Sequence, residues 1–190
     1  QMATVAGILK KVLNIPKIKV AIVAEKQVWA DPMVAATQKT LPKMGMEEAG
    51  VWRPSQTATD VTAELSAIES SGAHVIFTMF SASVGITFAR QAGELKIPAA
   101  QVGINVEAQK DGFWDATGGM GNYVMTMNTY ARGVEYNEKT KPFVEGYIKR
   151  FGETPTYTAD THAAVNMLAT CIERAGTLDS DKLVTELQKW

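Results

Sequence analysis

The sequence predicts an α/β fold: a parallel β-sheet with helices on both faces, followed by helices that belong to a second, incomplete lobe. Two observations predict the sheet. Short apolar, often β-branched runs alternate with longer segments of helical periodicity, and the runs are almost continuously apolar, which is typical of strands buried on both faces. A third observation predicts the second lobe, because amphipathic helical segments follow one another near the end of the chain without a new sheet to cover.

The composition excludes several kinds of protein. The chain has 190 residues and a formal net charge of −1, and 46% of its residues are hydrophobic and 21% charged, as in ordinary folded domains. This near-neutral balance gives no electrostatic footprint for a phosphate backbone, so no nucleic-acid partner is expected. No segment approaches the ~20 consecutive apolar residues of a membrane span. The first residues lack the basic and apolar regions of a signal peptide, so we expect neither membrane insertion nor a signal peptide within this chain.

The first elements follow from periodicity and from residues that begin or end helices. Asn14 and Pro16 end the first helix, a β-branched run gives the first strand, and Pro32 suits the first turn of the next helix. Thr59 and Asp60 provide a cap for the third helix. The predicted order is a helix over 2–13, a strand over 18–23, a helix over 31–41, a weak strand over 51–53, a helix over 61–70, a strand over 74–80, a helix over 83–95 and a strand over 100–104.

The remaining part of the chain, from residue 111 onward, has a different pattern. Residues 111–121 contain four glycines beside Phe113 and Trp114, which is typical of a loop. Ser180 and Asp181 provide a cap for the last helix. The predicted elements after the loop are one further strand over 123–127 and amphipathic helices over 140–151, 158–175 and 180–190.

No catalytic constellation is present in the sequence. It has no Walker A motif, no Gly-x-Gly-x-x-Gly and no Gly-x-Ser-x-Gly. His74 and His162 have no Cys or carboxylate at metal-ligand spacing, so structural roles are favoured for both. Cys171 lies on the apolar face of its helix, where a buried inert thiol is expected. The sequence therefore predicts a protein that is not an enzyme and that carries neither a cofactor nor a metal.

The most informative positions lie at the carboxyl ends of the predicted strands. Ligands of open α/β sheets bind just beyond these ends. The strands are followed by two large aromatic side chains, small hydroxyls beside a helix N-terminus, one amide and one carboxylate. This mixture suits the binding of a small organic solute, and the helix N-terminus favours an anionic group on it. The alternative is that the aromatic residues only pack the rim and the serines only cap a helix. The candidate ligand-binding residues are Trp29, Phe80, Ser81, Ser83, Asn105 and Glu107.

Six segments also carry a family resemblance in the right order along nearly the whole chain. They are 17–23, 59–65, 86–92 with 97–98, 143–147, 157–159 and 163–176. In these segments the chain resembles the C-terminal half or more of a type I periplasmic solute-binding protein, in the branched-chain amino acid (Leu/Ile/Val) class of ABC transporters. It departs from the family pattern at Val61, where phenylalanine is usual.

The resemblance implies a protein of two lobes that close on a ligand like a hinge. It implies that residues 1–125 form the C-terminal lobe, whereas 126–190 return through the hinge and add helices to the other lobe, whose N-terminal part is missing from this sequence. It also implies a periplasmic or extracellular location, a small-molecule ligand and an ABC permease in the membrane as partner.

Carried over position by position, the resemblance leaves two ligand classes open. Trp29 stands where the family's amino acid binders usually present a tyrosine, with Ala30 in place of the following glycine. Residues 80–81 stand in the loop where a second tyrosine commonly meets the ligand. Asn105 stands where amino acid binders often have an acidic residue for the ligand's ammonium group; an amide lacks that charge, and Glu107 is the nearest substitute. An amino acid and a small aromatic or aliphatic carboxylate both remain candidates.

The leading hypothesis is therefore a non-enzymatic solute-binding component that delivers its ligand to an ABC permease. A second hypothesis is a ligand-sensing regulatory domain of the same fold that is not linked to transport. A third, an enzyme on a flavodoxin-like sheet, would need a nucleophile with its base or a phosphate-gripping loop at the strand ends, and the sequence has neither.

Overall fold

The computed structural model describes residues 2–130 and 133–190 of the chain. The chain divides into two compact units, Gln1–Met127 and Asn128–Trp190. The first unit contains the sheet, and the described part of the second consists of helices and connecting segments.

The sheet of the first unit has five strands, all paired in parallel, in the spatial order β2-β1-β3-β4-β5. The predicted parallel sheet is confirmed. Parallel neighbours require crossover connections, and helices supply them between successive strands. The strands are β1 (Lys19–Ala24), β2 (Glu47–Trp52), β3 (Val75–Phe80), β4 (Ala100–Asn105) and β5 (Met125–Thr126).

Alternate side chains of β1 enter two separate apolar cores, one on each face of the sheet. Val20 and Ile22 belong to the first core, which also contains residues of the first two helices. Ala21 and Val23 belong to the second core, with residues of the third and fourth helices. All four side chains are fully buried. The continuous apolar run of β1 thus reflects a strand that is covered on both sides.

The helices agree with the predicted ones to within a few residues at each end. Helix α7 follows a short 3-10 turn over Tyr157–Ala159, which takes up the start of the predicted helix. The bounds are α1 (Met2–Leu13), α2 (Ala30–Thr40), α3 (Thr62–Ser70), α4 (Val84–Glu94), α5 (Phe113–Ala116), α6 (Thr140–Phe151), α7 (Asp160–Ala175) and α8 (Ser180–Leu187).

Two helix caps differ in detail from the prediction. The Asp60 carboxylate accepts hydrogen bonds from the side-chain hydroxyl of Thr62 at 2.6 Å and from its backbone N–H at 2.9 Å. Helix α3 begins at Thr62, one residue later than predicted. These hydrogen bonds hold the pKa of the Asp60 carboxyl below its usual value. Helix α8 is capped by Asp179, which accepts from Lys182 N at 3.1 Å, and not by the predicted pair Ser180 and Asp181.

Three short segments depart from the prediction for physical reasons. Strand β2 begins at Glu47, where its pairing with β1 starts, and not at residue 51 as predicted. Polar residues at the start of an outer strand give no apolar pattern from which this beginning could be predicted. The glycine-dense segment predicted as a loop contains α5, anchored by the buried side chain of Phe113. Strand β5 is two residues long and begins at Met125 and not at 123, because Tyr123, with a φ of 66°, is not extended and Val124 N donates to Gly121 O in a turn.

His74 joins β1, β3 and β4 at the amino end of the sheet. Its backbone N–H donates to Lys19 O at 2.9 Å, and its ring Nδ1 accepts from Lys19 N at 3.0 Å. Its carbonyl oxygen accepts from Ala100 N at 3.0 Å. His74 therefore has the structural role that the sequence predicts, and Cys171 is buried as predicted.

Replacement of His74 by leucine is expected to lower the free energy of unfolding by about 1–3 kcal/mol, because it leaves the backbone N–H of Lys19 without its acceptor. Chemical denaturation measures this change. The matched variant His74→Asn, which offers an amide oxygen near the position of Nδ1, should lose less. An equal loss in both variants would contradict a role of the ring nitrogen.

Candidate functional site

The candidate residues lie around the carboxyl ends of β1, β3 and β4. These strands are neighbours in the sheet, so the chain segments that leave them emerge side by side. Phe80 and Asn105 are the last residues of β3 and β4, and the other candidates stand in the connections that follow: Trp29, Ser81, Ser83 and Glu107.

A buried carboxylate that sequence reasoning missed connects two of these segments. Glu25 follows β1 directly and is fully buried. Its Oε1 accepts from Trp29 Nε1 at 2.9 Å and from the Ser81 hydroxyl by a short hydrogen bond. Its Oε2 accepts from the backbone N–H groups of Ser81 at 2.9 Å and Ala82 at 3.1 Å. An ionised carboxylate can be buried only with such donors, and hydrogen bonds to a charged acceptor are the strong ones.

Trp29 stands at the N-terminus of α2 with its ring half-buried against the first apolar core. Its only polar atom is committed to Glu25, so the part of the indole that stays exposed can act only through its ring. Ser81 is exposed, yet its hydroxyl proton is also directed at Glu25. The structure therefore brings together two of the predicted residues, through a third that was not predicted.

Phe80 lies in the core and not at the rim where the sequence analysis expects an aromatic face. Its side chain is fully buried, and its ring centroid is 5.2 Å from that of Phe88 on α4. The side-chain alternation of β3 explains this position, because Ile76 and Phe80 are four residues apart and both enter the second core. No surface of the Phe80 ring is available to a ligand in this structure.

Asn105 is also buried, with 1% of its surface exposed. Its Nδ2 donates to the Gly85 carbonyl oxygen at 3.0 Å, while its Oδ1 has no hydrogen-bond partner among the described residues. A Cβ atom at position 85 would collide with this Oδ1. Glycine at this position is thus what allows the first turn of α4 to rest directly on the amide of Asn105.

The two remaining candidates are more accessible. Ser83 stands at the N-terminus of α4, is exposed, and makes no capping bond with its side chain within the described structure. Glu107 is paired with Lys110, whose Nζ lies 2.8 and 2.9 Å from its two carboxylate oxygens. The charge of Glu107 is therefore partly neutralised by its own neighbour.

A second residue that sequence reasoning missed is Arg53, which follows β2. Its Nη2 donates to Asp31 Oδ1 at 2.6 Å and to the backbone oxygens of Glu25 at 3.1 Å and Gln27 at 3.3 Å. These hydrogen bonds hold the segment between β1 and α2, which carries Trp29, against the residue that follows β2. An open depression of about 380 Å³ adjoins this cation and is lined by Lys26, Gln27, Val28, Asp31 and Arg53.

These features bring an indole ring, two serine hydroxyls and several charged groups together at one edge of the sheet. The hydroxyl of Ser81 donates to the Glu25 carboxylate. No histidine is among the hydrogen-bond partners that the structure gives for Ser81. No group of three or more metal-ligating side chains occurs within the described ranges. In the same part of the chain, no helix has both the length and the apolar character needed to cross a bilayer.

Comparison with known proteins gives the family. A model of the periplasmic binding protein family matches residues 1–190. No curated protein matches the chain in sequence. Among solved structures, a leucine-binding protein from Thermotoga maritima is 23% identical, with a TM-score of 0.81, and the match covers 100% of this chain and 53% of that one.

Two further solved structures concern other ligands: one contains benzoate, and one is named for fatty acids. A solute-binding protein of an ABC transporter from R. palustris in complex with benzoate is 17% identical, with a TM-score of 0.75 over 98% of this chain and 50% of its own. A fatty acid ABC transporter substrate-binding protein from Thermomonospora curvata is 14% identical, with a TM-score of 0.76 over 99% and 50%.

At these identities the structural likeness shows a shared fold, and the chain spans about half the length of the proteins that it resembles. The family assignment rests on the sequence model, which covers every residue. It confirms the resemblance found in the six sequence segments, and the relatives named above are binding proteins. The chain belongs to the periplasmic binding protein family.

Proposed function

We propose that the chain is part of the solute-binding component of an ABC transporter, which captures an amino acid or a small aromatic or aliphatic carboxylate between two lobes and delivers it to a permease. The observation that carries this proposal is the cluster of Glu25, Trp29 and Ser81 at the carboxyl edge of the sheet. It holds an aromatic ring in a fixed orientation at the place where parallel α/β sheets bind ligands. On this proposal the protein acts in the periplasm or outside the cell.

The relatives support both ligand classes. One is named for leucine, one was solved with benzoate and one is named for fatty acids. These ligands share an apolar body and a carboxylate. The half-buried indole of Trp29 suits the apolar body, through ring stacking or apolar contact.

We also propose that residues 1–125 are the C-terminal lobe and that 126–190 return through the hinge to supply helices of the other lobe. The division of the chain at Met127 supports this boundary. The composition of the second unit supports it as well. Its described residues form no strand, and Val165 and Leu168 on α7 are 61% and 44% exposed, as expected of a helix whose covering sheet lies elsewhere.

Within the proposed site, Trp29, Ser81, Ser83 and Glu107 contact the ligand. Phe80 and Asn105 act from beneath it, because both side chains are buried in this structure. Phe80 supports the core under the loop that carries Ser81, and Asn105 supports the N-terminus of α4.

The ligand class is tested by a thermal-shift panel on the protein with both lobes. Branched-chain amino acids are compared with aromatic and short aliphatic carboxylates that lack an amine. A ligand at 100 times its dissociation constant stabilises the folded state by about 2.7 kcal/mol, which raises the melting temperature visibly. We expect stabilisation by at least one set. If neither set raises the melting temperature, the proposed ligand classes are wrong.

Replacement of Trp29 by alanine should weaken binding of the ligand found in the panel by more than about tenfold, because it removes the aromatic surface against which the ligand packs. Isothermal titration measures the dissociation constant. The control is Trp190→Ala, since Trp190 is 65% exposed in the other unit and should leave the affinity unchanged. Unchanged affinity in Trp29→Ala would remove this residue from the site.

A further inference from the structure

We infer that Glu25 is a positioning residue of the proposed site: it takes the hydrogen-bond donors of Trp29 and Ser81, so that both side chains meet the ligand without a free donor. This inference rests on the proposed function and deepens it. It assigns to the surface formed by Trp29 and Ser81 the apolar or donor-bearing part of the ligand and not its carboxylate.

The acceptor capacity of Glu25 is fully used. An ionised carboxylate has about four acceptor positions. Four donors occupy them: Trp29 Nε1 and the Ser81 hydroxyl on Oε1, and the backbone N–H groups of Ser81 and Ala82 on Oε2. The side chain is fully buried, so water does not compete for these positions. Each donor is therefore held in one direction.

This arrangement limits what the site can offer to a ligand. The indole of Trp29 retains its ring, and the hydroxyl of Ser81 retains its lone pairs, which accept and do not donate. A ligand carboxylate needs donors and finds none on these two side chains. An apolar ring or chain packs against the indole, and an ammonium or hydroxyl group donates to Ser81.

The role depends on both oxygens of the Glu25 carboxylate and not only on its size, because glutamine has one acceptor oxygen and an NH₂ group that donates. The two backbone N–H groups on Oε2 are fixed and require the oxygen. The NH₂ group of Glu25→Gln is then directed at Trp29 and Ser81. The Ser81 hydroxyl can rotate and accept from it, whereas the indole N–H has no acceptor character and loses its partner.

The experiment follows the indole N–H signal of Trp29 by ¹H–¹⁵N NMR in the protein with both lobes and without ligand. Its loss in Trp29→Phe assigns the signal. In Glu25→Gln we expect the indole proton to move upfield and to exchange faster with water. The control variant Glu94→Gln removes an equal charge from an exposed carboxylate that pairs only with Arg90 in the described structure, and should leave the signal in place. An unmoved signal in Glu25→Gln would overturn the inference.

The same variants are then titrated with leucine and with benzoate. We expect Glu25→Gln to weaken whichever of them binds by about tenfold, as for the loss of a charge-assisted hydrogen bond that orients a contact residue. Glu94→Gln should bind like the parent protein. If the indole signal moves in Glu25→Gln but the dissociation constant does not change, Glu25 is structural only and the positioning role is wrong.

Two further measurements separate this inference from the proposed function and from loss of folding. If the parent protein binds neither leucine nor benzoate, these proposed ligands are wrong, while the indole comparison still decides the hydrogen bond to Glu25. If Glu25→Gln does not fold, hydrogen exchange in the parent protein decides. The Trp29 indole N–H should exchange more slowly than that of Trp190 and stay protected when ligand is added. Equal exchange at the two indoles, or loss of protection on binding, would overturn the inference.

Discussion

The burial of one carboxylate, that of Glu25, sets the conditions for the rest of the candidate site. A charge that leaves water must be compensated by donors, and here the donors come from the segment after β3 and from the start of α2. The requirement ties the end of β1 to the end of β3 and fixes the indole of Trp29. The position of the site thus follows from an electrostatic need as much as from the topology of the sheet.

Much of the fold could be predicted because its strongest signals are local. The run from Ile18 to Val23 is apolar at nearly every position, and such a run has few alternatives to a strand covered on both faces. The bounds of the outer strands were harder to predict from the sequence. Strand β2 starts with Glu47 and Glu48, and its pairing with β1 is made by the backbone, which leaves little trace in the side-chain pattern.

The candidate site was less predictable because its contacts join distant parts of the chain. Glu25 and Ser81 are 56 residues apart, and nothing in the local sequence of either indicates the other. A single acidic residue directly after an almost continuously apolar strand was the one available signal. Phe80 and Asn105 show that burial at a strand end is also hard to predict from sequence. Both residues stand at strand ends as predicted. Their side chains are buried because α4 packs over them, and this packing cannot be read from the local sequence.

The seating of α4 on Asn105 also constrains which residues can be exchanged at the two positions in contact, 85 and 105. Aspartate at position 105 would present an oxygen, and no N–H group, to the Gly85 carbonyl oxygen, and burial would deny it water. Any larger residue at position 85 would meet the same side chain. A transition between an amide and an acid at this position therefore requires α4 to shift as well. The two positions form a coupled pair, and we expect a replacement at either one to be tolerated only together with a change at the other.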